Sequence, residues 1–107
     1  MTANTTGISG KWNTRYGVAT ITQQGDQVEG TYNSDGGRLS GTYREGVLTG
    51  IWSEHNSGHR CKDTRHGHHH WGPIRWEFDG DSFTGAWGYC DGKASRQGWN
   101  GQRQANP

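Results

Sequence analysis

The stretch Val28-Glu29-Gly30-Thr31-Tyr32 carries a pattern that recurs along the chain: an apolar residue, any residue, glycine, any residue and an aromatic residue. Further copies are Ile8-Ser9-Gly10-Lys11-Trp12, Leu39-Ser40-Gly41-Thr42-Tyr43, Leu48-Thr49-Gly50-Ile51-Trp52 and Phe83-Thr84-Gly85-Ala86-Trp87. Because side chains alternate between the two faces of a strand, the apolar residue, the glycine and the aromatic residue share one face. The central glycine lets the sheet bend and leaves room for a neighbouring aromatic ring. The repeat therefore predicts half-buried antiparallel strands in a curled sheet.

Composition limits the classes of protein to which this chain can belong. Its 107 residues suit one domain, and although only 27% are hydrophobic, six Trp and four Tyr can build an aromatic core. A formal net charge of +1 gives no reason to expect a nucleic acid or an anionic membrane as partner. No apolar stretch approaches the roughly 20 residues of a membrane helix, and Met1 to Thr6 lack the apolar core of a signal peptide. We expect a cytoplasmic protein or a mature exported domain.

Turn residues divide the chain into about eight short strands. The predicted strands are Ile8–Thr14, Val18–Gln23, Gln27–Asn33, Arg38–Arg44, Val47–Glu54, Ile74–Phe78, Phe83–Tyr89 and Gly98–Arg103. Residues 55–72 lack periodicity and are rich in His, Arg and Gly, which indicates a long loop. Closure of the meander would remove exposed strand edges. We therefore predict an all-β, antiparallel, up-and-down meander over residues 7–103 that closes into a small barrel, with an open curled sheet or a two-sheet sandwich as alternatives.

The Gly-x-Trp start and the repeated Gly-Thr-Tyr strands support a comparison with known folds. They resemble small, uncharacterised bacterial domains that are built from the same glycine and aromatic hairpins. The resemblance spans about residues 7–103, and it implies a fold without a function.

Two segments resemble the first and third strands of avidins, namely residues 7–13 (GISGKWN) and 30–34 (GTYNS). In avidins these strands contribute an Asn, a Tyr and a Ser that hydrogen-bond the ureido head of biotin. The resemblance therefore implies biotin contacts at Asn13, Tyr32 and Ser34, with an aromatic box from Trp76, Trp87 and Trp99. One departure is that Asn13 directly follows a tryptophan of the apolar face, which places it on the opposite face of the strand.

The long loop contains all six histidines and Cys61. Imidazole and thiolate groups are the usual ligands of zinc, copper and nickel, and a His-rich tract is a compositional signal for such metals. The candidate ligands are His66, His68, His69, His70 and Cys61. Their spacing matches no recognised zinc template, so a solvated polar loop is the alternative.

The two cysteines, Cys61 and Cys90, are equally compatible by count with a disulfide, free thiols or a metal site. Strand parity places Cys90 on the face opposite Trp87 and Tyr89. A Cys61–Cys90 bond would pin the long loop to the barrel and stabilise the fold by roughly 3 kcal/mol or more. We therefore favour the disulfide over free thiols.

The tryptophans fall into two groups. Strand parity assigns Trp12, Trp52 and Trp87 to the core. Trp71 lies in the loop and Trp99 in the polar final segment, which makes them candidates for an exposed ligand platform, with Tyr16 and Asn100 nearby. The alternative for both is packing against an opening of the barrel.

These observations favour a non-enzymatic binding or scaffold module whose long loop and aromatic residues recognise a small molecule. A carbohydrate fits exposed Trp, Asn and Gln side chains best. A metal-binding protein, an avidin-like biotin binder and a self-associating structural protein are the alternatives. Glu54 and Glu77 have no identified carboxylate partner, so the sequence does not support a glycosidase pair or any other catalytic residue.

Overall fold

The computed structural model describes residues 7–104, and the regular secondary structure of this part of the chain is almost entirely β-strand. Its strands are β1 (Gly10–Thr14), β2 (Gly17–Gln24), β3 (Gln27–Tyr32), β4 (Gly37–Arg44), β5 (Val47–Glu54), β6 (His70–Asp79), β7 (Ser82–Trp87), β8 (Arg96–Gln97) and β9 (Gly101–Arg103). A short 3₁₀ turn, Ser34–Gly36, lies between β3 and β4. No helix within residues 7–104 is long and apolar enough to cross a membrane. The segment Met1 to Thr6, used above to argue against a signal peptide, lies outside the described residues.

The sheet closes on itself. Strands β1 to β7 pair antiparallel in chain order, and β9 pairs with both β7 and β1. Eight strands thus form a barrel, while the two-residue β8 adds to β7 beside it. The prediction of a small closed antiparallel barrel is confirmed.

The boundaries near the long loop and the final segment differ from those predicted. β6 begins at His70, because His70 and Trp71 pair with Glu54 and Ser53 of β5, so the loop spans 55–69 rather than 55–72. The predicted last strand, Gly98–Arg103, is shortened to Gly101–Arg103 (β9), because Gly98, with a φ of 102°, interrupts the extended backbone after β8.

The repeated pattern places its residues as expected. In β3, Val28 and Tyr32 are buried while Glu29 and Thr31 are exposed. Gly85 leaves room for a core ring, since a Cβ there would lie 2.6 Å from Trp76 Cδ1. Glycine at the centre of the repeat therefore admits neighbouring aromatic side chains into the barrel.

One end of the barrel, called the sealed end below, is closed over Trp12 by Arg103, and a surface pocket of about 220 Å³ remains beside Tyr43 and Phe78. The Trp12 ring packs edge-on against Phe78, with ring centroids 5.1 Å apart, and the Arg103 guanidinium lies 4.4 Å from the Trp12 ring. Arg103 also donates hydrogen bonds to the carbonyls of Ser9 and Gly7 and pairs with Asp81. The side chain fastens both ends of the described chain across this end of the barrel.

The long loop packs on the outer surface of the barrel over Trp71. The Trp71 indole N–H donates to the Asp63 carbonyl at 2.8 Å, and the Arg65 guanidinium lies 4.4 Å from the ring. A Cys61–Cys90 disulfide joins this loop to the segment after β7, as predicted. The loop is thus held on the barrel by these contacts and by the disulfide, and Trp71 is buried between loop and barrel.

Candidate functional site

A pocket of about 290 Å³ lies at the barrel end opposite the sealed one. Because neighbouring strands run antiparallel, β1, β3, β5 and β7 all end at the same rim, and residues that follow these strands meet there. The pocket is lined by Tyr16, Ser34, Asp35, Trp52, Glu54, Ser57, Gly58, Trp87, Tyr89 and Trp99. The closed barrel therefore assembles the site from five separate parts of the chain.

Aromatic rings form the walls of the pocket as a box of mutually steep planes. Tyr16 and Trp99 meet at 82° with centroids 5.0 Å apart, and Trp52 and Trp87 meet at 80° and 6.0 Å. Tyr89 stands at 78° to Trp87, 5.1 Å away. Such edge-to-face contacts are favourable and hold each ring in place.

Hydrogen bonds fix two of these indoles. Trp52 Nε1 donates to the Gly88 carbonyl at 2.8 Å, and Trp99 Nε1 donates to Thr14 Oγ1 at 3.3 Å. The polar atom of each indole is satisfied by the protein, so what these side chains offer to a ligand is ring surface.

Glu54 is the half-buried acid of the pocket. The Tyr32 hydroxyl donates to Glu54 Oε2 at 2.7 Å. Burial raises the pKa of Glu54, and the nearby Asp35 raises it further, while the Tyr32 hydrogen bond acts in the opposite direction. The pKa of Tyr32 is also raised, chiefly by burial and then by the Glu54 charge, which keeps the phenol protonated as a donor.

The rim is held together by backbone contacts between turns. The backbone N–H and the hydroxyl of Ser34 both donate to the Tyr16 carbonyl, at 3.2 and 3.0 Å. The backbone N–H of His55 donates to the Asp35 carbonyl at 2.9 Å, and Asp35 itself adopts a φ of 47°. Asp tolerates this left-handed conformation better than most residues. Three chain segments thus form one preorganised rim.

The structure places some of the predicted ligand residues in the pocket and others outside it. Tyr16, Ser34 and Trp99 line the pocket, and Tyr32 contacts it through Glu54. Trp71 lies under the loop, and Asn100 is exposed outside the pocket lining, with its Oδ1 accepting from the Gly85 N–H.

The expectation that Trp71 and Trp99 are exposed is wrong. They are 3% and 2% exposed, because the loop covers the first and the barrel mouth encloses the second. Packing against an opening of the barrel, the alternative for both, describes Trp99.

The sequence did not predict Trp52 and Tyr89 as pocket walls or Asp35 as part of the rim, and it indicated Trp87 only through the avidin resemblance. The available signal was that odd-numbered strands of a meander end at the same rim, and that aromatic or acidic residues follow these ends. The alternation of side chains along one strand predicts which residues point into the barrel. It does not predict whether they lie in the packed core or at the open end of the barrel.

The positions implied by the avidin resemblance are split. Tyr32 and Ser34 lie at the pocket end of the barrel, whereas Asn13 is exposed on the outer face, where its Oδ1 accepts from Gln104 Nε2 at 2.9 Å. Trp87 and Trp99 line the pocket, and Trp76 lies in the core, stacked on Phe83 at 4.2 Å. The outward position of Asn13 follows from its place directly after Trp12.

The predicted metal ligands are not brought together. Within residues 7–104, no group of three or more His, Cys, Asp or Glu side chains is arranged to hold a metal ion. Cys61 is in the disulfide, and the His66 ring nitrogens contact Ser40 Oγ at 2.8 Å and Ser53 Oγ at 2.7 Å. His69 Nδ1 and His70 Nδ1 lie instead against the carbonyls of Cys61 and His59, both at 3.1 Å.

Comparison with known proteins supplies no family for this chain. No protein-family model, curated protein or solved structure matches it. The residues of the pocket are therefore the basis for the function proposed below.

Proposed function

We propose that this chain is a non-enzymatic binding module that takes a small organic ligand into the aromatic pocket at the open end of the barrel. The carrying observation is a cavity of about 290 Å³ walled by five aromatic side chains and open at the rim. This volume is at the lower limit of small-molecule sites, which run from about 300 to 1,000 Å³. The ligand is therefore compact, or only one end of it enters.

Hydrogen bonding in the rim favours binding over catalysis. Ser57 is the lining hydroxyl nearest to a histidine, with its Oγ 2.9 Å from His70 Nδ1. Both groups lie against the His59 carbonyl, which accepts from the Ser57 hydroxyl at 3.0 Å and from His70 Nδ1 at 3.1 Å. A ring nitrogen that donates to a carbonyl carries a proton and cannot act as a base toward the serine.

The proposal for a carbohydrate ligand rests on different residues from those expected. The platform of Trp71, Trp99 and Asn100 is not formed, since only Trp99 lines the pocket. A sugar would instead depend on the box of rings and on the oxygens of Ser34 and Glu54. The chemical class of the ligand must therefore be argued from the shape and charge of the pocket.

The test is to follow the indole N–H signals in proton–nitrogen correlation spectra while adding neutral sugars, organic cations and organic acids in turn. A pocket ligand should shift the signals of Trp52, Trp87 and Trp99 in a saturable way. Trp12, at the sealed end, is the internal control and should not move. If no class of compound shifts the pocket indoles, or if Trp12 and Trp71 shift as much, the proposed function is wrong.

A further inference from the structure

We infer that the ligand of this pocket is a small organic cation, an ammonium or methylated ammonium group enclosed by the aromatic box beside Glu54. The inference rests on the proposed function, because it names the ligand class of the same pocket. Two independent features, the charge of the lining and the arrangement of the rings, lead to it.

The charge of the lining is negative. Among residues 7–104, the lining contains the acids Asp35 and Glu54 and no Lys, Arg or His. Three ion pairs form within residues 7–104, and neither acid takes part in them. A half-buried carboxylate with only a phenol as partner has lost hydration without gaining a counter-charge. A bound cation would supply that counter-charge.

The rings suit an enclosed cation better than a flat ligand. A sugar ring stacks on one open aromatic face, whereas a quaternary ammonium is attracted by several ring faces at once. In this pocket the planes of Tyr16 and Trp99, and of Trp52 and Trp87, are nearly perpendicular. No broad platform results, and a compact group suits the pocket better than a flat ring.

The chain already places a cation on two of these rings. The Arg96 guanidinium lies 5.5 Å from the Trp87 ring and 5.1 Å from the Tyr89 ring. Such distances are those of cation–π contacts, so both rings already attract a positive charge on the face that Arg96 covers. Arg96 is outside the pocket lining, as is Arg15, which lies 5.6 Å from the Tyr16 ring. These flanking cations repel a positive ligand and offset part of the attraction of Asp35 and Glu54, so a ligand with one positive charge is favoured over one with several.

The experiment is a calorimetric titration of the protein with choline and with 3,3-dimethyl-1-butanol. This alcohol has carbon in place of the choline nitrogen, and therefore the same shape without the charge. We expect choline to bind at least about tenfold more tightly than the isostere, as a desolvated cation–π site requires. Glu54→Gln keeps an acceptor for Tyr32 but removes the charge, and it should weaken choline binding by a similar factor. Glu45→Gln, in the turn between β4 and β5 at the opposite end, is the matched control and should bind as the wild type does.

The outcomes separate the two claims. Equal binding of choline and the isostere, or binding of a neutral sugar without choline, would overturn the cation inference and leave the proposed pocket function standing. Failure of cations, sugars and acids alike would overturn both. Near-UV circular dichroism checks that Glu54→Gln is folded, and Asp35→Asn, at an exposed turn position, removes a second pocket charge if it is not. Unchanged choline affinity in the folded variant would contradict the role of the carboxylate.

Discussion

At the scale of single residues, the tryptophans differ in what their indole N–H contacts. Trp12 donates to the Ile8 carbonyl at 3.0 Å, whereas Trp76 Nε1 is the one buried side-chain polar atom within residues 7–104 that has no hydrogen-bond partner. Both side chains are 0% exposed. Strand parity predicts that Trp12 is inward, but no local pattern predicts which indole finds an acceptor, because the acceptor comes from another part of the chain.

These two tryptophans give a matched pair of substitutions. Trp12→Phe leaves the Ile8 carbonyl without its indole donor and puts a smaller phenyl ring beneath Arg103, while Trp76→Phe removes a donor that had no partner. Both variants lose buried area, so the difference between them reports the unpaired carbonyl. We expect Trp12→Phe to lower the free energy of unfolding by about 1–3 kcal/mol more than Trp76→Phe does. Urea unfolding of both variants measures the difference. Equal losses, or a larger loss for Trp76→Phe, would contradict the hydrogen-bond assignment.

His66 makes the stability of the fold depend on pH. Burial lowers its pKa, and the neighbouring charges of Arg38 and His68 lower it further, against a smaller opposing effect of Glu29. As pH falls through about 6.5, the unfolded chain protonates this ring before the folded chain does, so the free energy of unfolding decreases. The loss continues until the pH reaches the lower folded pKa.

His66→Asn should reduce this decrease. Asn accepts the positive φ of this position, 54° in the protein, and does not titrate. Unfolding free energies measured between about pH 7 and pH 5 should fall less steeply in the variant than in the wild type. His59→Asn, at an exposed position of the same loop, should keep the wild-type slope. A wild-type slope in His66→Asn would show that the ring is not the titrating group.

At the scale of elements, the strands were predictable and the loop was not. Val47–Glu54 is a strand with the bounds expected from its pattern, because alternation is a local property of the sequence. The start of β6 at His70 depends instead on partners in β5, and the burial of Trp71 depends on the loop that covers it. The polar, irregular sequence of the loop does not predict that the loop covers Trp71.

The disulfide connects this loop to the pocket. Cys61 and Cys90 are separated by 29 positions, and closing a loop of that length stabilises a fold by roughly 3–4 kcal/mol in the chain-entropy treatment. We expect the double variant Cys61→Ser, Cys90→Ser to lose about that much unfolding free energy in urea titrations. A loss near zero would mean that packing over Trp71 holds the loop without the bond.

The same variant should bind choline more weakly. Tyr89 precedes Cys90, while Ser57 and Gly58 belong to the loop that Cys61 anchors, and all three line the pocket. Calorimetry on the folded double variant measures this effect, with the wild type plus reductant as an independent comparison. Full choline affinity after loss of the bond would show that the pocket wall does not depend on the loop.

At the scale of the whole molecule, closure of the barrel creates the site. β9 pairs with β1 and β7, and this brings Trp99 beside Tyr16, 83 positions earlier in the chain, at one rim with Glu54. The repeat predicted the strands and their closure. It did not predict the pocket, because the lining residues share a place only after the strands are wrapped into one barrel.

The pocket should bind cations more tightly as pH rises. Ionisation of Glu54, whose pKa is raised by burial and by Asp35, adds negative charge beside the aromatic box. The other polar and charged groups near this region are the Tyr32 phenol, Arg15, Arg96, His55 and His59. Choline affinity measured between about pH 4 and pH 7 should rise more in the wild type than in Glu54→Gln. Parallel profiles would contradict the role of Glu54 in the pH dependence.

The most direct measurement is a set of intermolecular nuclear Overhauser contacts between the methyl protons of choline and the protein. We expect contacts to the rings of Trp52, Trp87 and Trp99, which wall the pocket, and none to Trp12 at the sealed end. Contacts confined to Trp71 and the outer loop, or no contacts at saturating choline, would contradict a cation site in the mouth of the barrel.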